Sequence, residues 1–205
     1  MLNLSNVSTE FHDFQPISVN ISQGDFLAFM GDYSEKMFDI FSGKSTFSGE
    51  ISLYDESYLH KLPVNEIASL GFIETKQLCP GDMSVINYLT MSVWAREMNG
   101  FRRYVAKIQS YLYRFNMMSL SHRPMGQLSK ISLLKVLLIS KLLLETKILI
   151  IGNIDGALNT NNCAEPLDIL NDFMNSGGSV IYTGINRALN DLNPLVIELE
   201  GNKYV

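Results

Sequence analysis

The sequence predicts an α/β fold, and three observations carry that prediction. Short apolar bursts separated by polar residues open the chain, helical periodicity fills its middle, and its last third runs strand, helix, strand. Leu2-Asn3-Leu4-Ser5-Asn6-Val7 and Ile17-Ser18-Val19-Asn20-Ile21 alternate with the period of half-buried strands. Gly24-Asp25 marks a turn before Phe26-Leu27-Ala28-Phe29-Met30, an apolar strand that ends at Gly31. An antiparallel β opening is expected, followed by a helix to Phe41 and a further strand over Ser48–Leu53.

From Val85 to Phe115 apolar and aromatic residues recur at three- and four-residue spacing. Tyr88, Met91, Trp94, Ala95 and Met98 make one helix, and Tyr104, Ile108, Tyr111, Leu112 and Phe115 a second, with Gly100 between them. Polar residues fill Ser119–Gly126, and a long helix is expected over Ser129–Leu144. Ile148-Leu149-Ile150-Ile151 is a run of the kind buried on both sheet faces. A helix over Glu165–Met174 then leads through Gly177-Gly178 to a second buried strand, Ser179–Thr183, and Val196–Leu199 reads as the last strand. Strand–helix–strand order argues for parallel pairing there.

Composition narrows the function classes. The 205 residues suit one domain with a sizeable core, and 46 % hydrophobic residues exclude a disordered chain. A net charge of −5 argues against a general nucleic-acid binder, whose affinity comes from Lys and Arg on phosphates. Cys79 and Cys163, the 2 thiols, provide neither a disulfide framework nor a zinc site and suit a reducing compartment. No secretory leader is visible in Met1–Glu10. The strongest apolar stretch, Ile131–Leu144, is 14 residues long and carries Lys135 and Lys141. A membrane span needs roughly 20 residues, so this stretch reads as a buried helix.

Gly43-Lys44-Ser45-Thr46 imitates the end of a phosphate-binding loop, G-x-x-x-x-G-K-[ST]. That loop needs a glycine five positions earlier, where Phe38 stands, and it must lie between a strand and a helix. Here the order is helix then strand, so the segment reads as a surface turn.

With the turn placed there, the chain from Met1 to Val205 resembles the nucleotide-binding domain of ABC transporters. The residues that carry the resemblance are the strand ending at Gly31, Phe41-Ser42-Gly43 with Ser48-Gly49-Glu50-Ile51, and Gly71-Phe72-Ile73 with Leu78-Cys79-Pro80 through Ser84-Val85. Leu128-Ser129 at a helix start, Ile148–Ile151, Gly156-Ala157-Leu158-Asn159 and Ile181-Tyr182-Thr183 complete the order. The resemblance implies a P-loop NTPase-like mixed sheet flanked by helices, with an antiparallel β subdomain and an inserted helical subdomain. It implies one domain, 1–205: a β-rich and RecA-like part over 1–84, the helical subdomain over 85–127, and a RecA-like part over 128–205.

In that family two domains sandwich Mg-ATP, and the chemistry is phosphoryl transfer to water. The phosphate loop maps onto Gly31-Asp32-Tyr33-Ser34-Glu35-Lys36-Met37-Phe38, about three residues short of the usual spacing to Gly43. Only its first glycine is in place, and Phe38 stands where a metal-binding hydroxyl is needed. Asp32 and Glu35 would repel a triphosphate by on the order of several kcal/mol per close pair at an effective dielectric of about 20. The Walker B acids, one for metal and one for water, map onto Gly152 and Asn153. The switch histidine maps onto Gly184, the D-loop aspartate onto Asn159, and the Q-loop glutamine onto Thr75, with Gln77 as the shifted register. The signature reads Leu128-Ser129-Lys130-Ile131-Ser132, with bulk at both glycine positions; Lys130 could still supply a positive charge to a partner's phosphate. Phe11 falls where the family stacks adenine, and core packing explains a lone Phe equally well.

The scaffold is therefore expected to persist without its catalytic groups: no enzyme, no metal and no required cofactor, with ATP a doubtful ligand. The leading expectation is a degenerate ABC subunit at the cytoplasmic face of a membrane. It would pair with a competent ATPase subunit, a membrane permease or both, docking through Gln77–Leu89 and the helical segment. One alternative is a functional ATPase using Lys36 for phosphates and Asp155 for the metal. Others are a soluble, self-associating scaffold without a permease and, most remotely, a P-loop kinase built on Gly43–Thr46.

Overall fold

The computed structural model describes residues 2–10, 13–53, 56–57, 69–74, 80–95, 101–152, 154–158, 164–185 and 187–201. Parallel and antiparallel pairing are divided between two sheets. In the first, β1 (Leu2–Thr9) lies between β2 (Ile17–Ile21) and β4 (Phe47–Leu53), with β5 (Glu56–Ser57) at the edge and every pair antiparallel. The second has five parallel strands in the order β6 (Leu70–Glu74), β7 (Ile148–Gly152), β8 (Ser179–Gly184), β3 (Phe26–Met30) and β9 (Leu195–Glu198). The Gly24-Asp25 turn thus carries the chain from one sheet to the other, closed by the Asp25 N–H donating to the Ser22 carbonyl at 3.2 Å. The last strand begins one residue earlier than its apolar run suggests.

The period-2 alternation of the central strands builds two cores, one on each face of the parallel sheet. Leu27 and Phe29 of β3, Ile148 and Ile150 of β7, and Ile181 of β8 pack with the antiparallel sheet and α1 (Ser34–Phe41). Phe26, Ala28, Met30, Leu149, Ile151, Val180 and Tyr182 point the other way, toward α2 (Val85–Trp94), α3 (Phe101–Arg114), α4 (Lys130–Leu143) and α6 (Ala164–Asn175). A short α5 (Asp155–Leu158) follows β7. Each fully buried Leu, Ile or Phe contributes about 1.5–3 kcal/mol, which is why these strands read as continuous apolar runs.

The ends of the helices follow local chemistry. The Ser129 hydroxyl caps α4 by accepting the Ser132 N–H at 3.2 Å, and Ser84 caps α2 through the Asn87 N–H. The helix α1 ends where the Lys44 and Ser45 N–H groups fold back on the Asp39 carbonyl, at 2.8 and 3.2 Å. Gly43-Lys44-Ser45-Thr46 is therefore a helix-terminating turn ahead of β4. It sits at the negative end of a helix dipole, the opposite of a phosphate site.

The helical segment differs from its sequence pattern at one face. Val85, Leu89 and Val93 are the residues of α2 that are buried, whereas Met91 and Trp94 are 53 % and 55 % exposed. In α3, Tyr104, Ile108 and Leu112 are buried, as is Phe115 just beyond it. Among the described residues no helix is long and apolar enough to cross a membrane.

Candidate functional site

Parallel α/β sheets place their sites at the carboxyl ends of the strands, because helix N-termini and loops converge there. In this chain that edge consists of Glu74, Gly152, Gly184, Met30 and Glu198, the last residues of β6, β7, β8, β3 and β9. The register sets Met30 beside Gly184, Gly152 beside Thr183 and Glu74 beside Gly152. Gly31, Gly152 and Gly184, three positions expected from the sequence to lie round a nucleotide, are therefore gathered on one edge.

The loop leaving β3 is short. Only Gly31, Asp32 and Tyr33 separate the strand from α1. Gly31 has φ +99°, and a Cβ there would come 2.8 Å from the Leu199 carbonyl oxygen, so the backbone requires glycine. The Ser34 N–H donates to the Gly31 carbonyl at 3.1 Å and the Lys36 N–H to the Tyr33 carbonyl at 3.0 Å. These donors close turns, whereas a phosphate cradle needs a run of them pointing outward. The Tyr33 ring packs against Gly201, fixing the loop to the segment after β9. Ser34, Met37 and Phe38 face inward and are buried, while Asp32, Glu35 and Lys36 are exposed.

Phe38 determines what the edge can hold. Its side chain is 5 % exposed and lies directly over Gly152: a Cβ built on Gly152 would fall 2.5 Å from Phe38 Cδ2. Phe72 of β6 meets the same ring edge-on, with centroids 6.2 Å apart at 88°. Lys44 Nζ stands 5.2 Å from the centre of the Phe38 ring and 3.1 Å from Glu74 Oε2. The position between α1 and the end of β7 is thus filled by a phenyl ring, and Gly152 has no room for a side chain. A divalent cation with phosphate oxygens needs hard oxygen ligands there, which Phe38 and Gly152 do not offer. Among the described residues no group of three His, Cys, Asp or Glu could hold a metal ion.

Leu128, Ser129, Lys130, Ile131 and Ser132 form the capped start of α4, with Ser129 and Lys130 exposed and Ile131 and Ser132 half-buried. The Ser129 hydroxyl is engaged with both the N–H and the hydroxyl of Ser132. Asp155 opens α5. Phe11, Thr75, Gln77, Asn153 and Asn159 lie outside the described residues.

Two features were missed in the sequence. The exposed Met91–Trp94 pair had been counted in the apolar pattern of its helix. Lys135, one of two charges in the apolar stretch Ile131–Leu144, is near-buried, and its Nζ bonds Glu165 on α6. The basic α3 and acidic α6 were the available signal for a charged contact in that region.

This architecture, a five-stranded parallel sheet with an antiparallel sheet on one face and helices on the other, matches the ABC ATPase fold. Similar solved structures include cbiO1 from Clostridium perfringens, part of the ABC transporter complex cbiONQ. The match has a TM-score of 0.79 at 18 % identity and covers 97 % of this chain and 84 % of that one. An ATP-binding subunit of an ABC transporter matches at TM-score 0.81 and 15 % identity, over 98 % of this chain and 86 % of the other. A bacterial ABC transporter cassette in dimeric form matches at TM-score 0.78 and 16 % identity, over 97 % and 94 % of the two chains. No protein-family model matches the sequence, and no curated protein matches it significantly. The likeness is therefore one of fold, and it agrees with the order of segments read from the sequence.

Proposed function

We propose that this chain is a non-catalytic ABC-type subunit, one that keeps the scaffold of an ATP-binding cassette and serves by association. One observation carries the reading: the Phe38 ring rests on Gly152, where the family places the metal-binding hydroxyl and the first Walker B acid. Mg-ATP does not fit these residues, because a phenyl ring and a glycine offer the metal no oxygen ligand. The rival in which Lys36 and Asp155 substitute is weakened by the collapsed turn at Gly31–Tyr33, which spends the Ser34 and Lys36 amides internally.

The partner is a competent ATPase subunit, a membrane permease, or both, at the cytoplasmic face of the membrane. Support comes from two neighbours in fold, one part of a transporter complex and the other a dimer. The outer face of α2 gives this reading a place on the chain, because Met91 and Trp94 lie exposed three residues apart on a helix without a charged side chain. Exposed aromatic and Met anchors of this kind dominate interface energies. The experiment is affinity purification of the tagged chain from solubilised membranes, beside a phosphate-release assay on the purified chain. The expected result is a stoichiometric membrane partner that is lost in Trp94→Ser, and phosphate release no faster than a protein-free blank. Turnover by the purified chain would overturn the non-catalytic reading. A chain recovered only as its own oligomer would replace the transporter role with that of a scaffold.

A further inference from the structure

The parallel sheet has a second edge, where its strands begin, and a cleft opens there. It holds 420 Å³ between the end of β2, the Gly24-Asp25 turn into β3, the last turn of α6 and the loop entering β9. Small-molecule sites run from roughly 300 to 1,000 Å³. Its floor is apolar: Phe26 and Leu27 of β3 are buried, and Met174 and Leu192 half-buried. Leu195, the first residue of β9, also lines it and is 58 % exposed.

Round that floor stand four exposed asparagines. Asn20 comes from β2, Asn171 and Asn175 from α6, and Asn193 from the loop before β9. Asn171 and Asn175 are four residues apart and so share one face of their helix, while Asp172 beside them pairs with Arg114 of α3. Among the described residues, none of the four carboxamides has a hydrogen-bond partner within the chain. Each therefore keeps both its donors and its acceptor for what enters the cleft.

Charge narrows the ligand further. Asp25 is the one charged side chain of the lining, and its Oδ2 accepts the Ser22 N–H at 2.7 Å. No cation lines the cleft to hold a phosphate or carboxylate, and Asp25 would repel either. A hydroxyl group both donates and accepts, so it satisfies either end of a carboxamide whichever way the amide is turned.

We propose that this cleft binds a small uncharged ligand rich in hydroxyl groups, of the chemical class of a mono- or disaccharide. A ring face lies on the apolar floor, and the hydroxyls bond the asparagine carboxamides. The cleft is at the opposite end of the strands from Gly31 and Gly152, so the assignment stands whether or not the chain is catalytic or has a permease partner.

Titration of the full isotope-labelled chain with glucose, mannose, maltose, sucrose and trehalose at millimolar concentration, followed by amide NMR, tests this. At least one of these sugars should shift the side-chain amide signals of Asn20, Asn171, Asn175 and Asn193 and leave the signals round Gly152 unmoved. Replacing both Asn171→Ala and Asn175→Ala, on an exposed helix face where alanine is the better helix former, preserves the fold. That double variant should bind the sugar at least about tenfold more weakly, the loss expected for two hydrogen bonds. Glucuronate, which adds a carboxylate to the glucose ring, should bind more weakly than the best neutral sugar. No shift at the four asparagines with any of the five sugars would overturn the proposal. So would undiminished binding in the double variant, or glucuronate binding as tightly as the best neutral sugar.

Discussion

The carboxyl edge of the parallel sheet and the outer face of the helical arm present opposite solutions to the same problem. At the sheet edge, an apolar ring is turned inward and consumes the space that a ligand would need. On α2, apolar side chains are turned outward and left uncovered, at a cost in solvation that the isolated chain does not recover. An edge built to bind phosphates is normally open, polar and rich in free amide donors. Here Phe38, Phe72 and Gly152 pack, and Lys44 is paired with Glu74. The contrast is between a sheet edge closed by its own packing and a helix face that leaves Met91 and Trp94 exposed.

The sharpest way to break the comparison is to empty the packed edge. Phe38→Ala should lower unfolding free energy by about 3–5 kcal/mol, the range for deleting a buried aromatic side chain, as read from urea denaturation. A loss below about 1 kcal/mol would mean the ring is dispensable and the edge is not closed by packing. Gly152→Ala follows in size. Its Cβ would meet the Phe38 ring at 2.5 Å, so overpacking should cost about 1–3 kcal/mol. Phe38→Leu in the same chain should remove much of that cost, and the non-additivity of the double variant measures the coupling between the two positions.

A third prediction concerns the arm. Lys135, then Asn116, hydrogen-bond the Glu165 carboxylate and hold its pKa below the ordinary value of 4.5. The stabilisation this implies is present above that ordinary value and is lost as pH falls through the lower, folded-state value. The melting temperature of the wild type should exceed that of Glu165→Gln at neutral pH, and the gap should close as the pH falls through that lowered folded-state value. A gap that persists in acid would assign the effect to packing. The smallest expected change belongs to the open face: Trp94→Ser should alter stability by no more than about 0.5 kcal/mol while abolishing partner recovery. A large destabilisation would show that Trp94 belongs to the core after all.

The sequence made the scaffold legible because strands with one or two buried faces impose short periods. The strands at 2–9, 17–21, 26–30, 148–152 and 179–184 all stood out as alternating or continuous apolar runs. The burial of α2 was not legible, since a helix reading VINYLTMSVW offers apolar residues on several faces and its period cannot decide which one packs. Phe38 and Gly152 could be recognised as departures from a functional pattern, yet only as two separate ones. They stand 114 positions apart in the chain, and the fold makes them one packing event, the ring occupying the volume a side chain on residue 152 would need. Lys135 was visible as a charge in an apolar helix, but its partner Glu165 lies 30 residues on and becomes apparent only when α4 and α6 are side by side.

The most direct test of the closed edge is thermal unfolding of the purified wild-type chain with millimolar Mg-ATP, with ATP alone and with neither. A ligand present at a hundred times its dissociation constant stabilises the folded state by about 2.7 kcal/mol, a readily measured shift in melting temperature. The account predicts three superimposable curves. A Mg-dependent rise in melting temperature would contradict it, because the Phe38 ring would then have to leave Gly152 to admit the metal and phosphates.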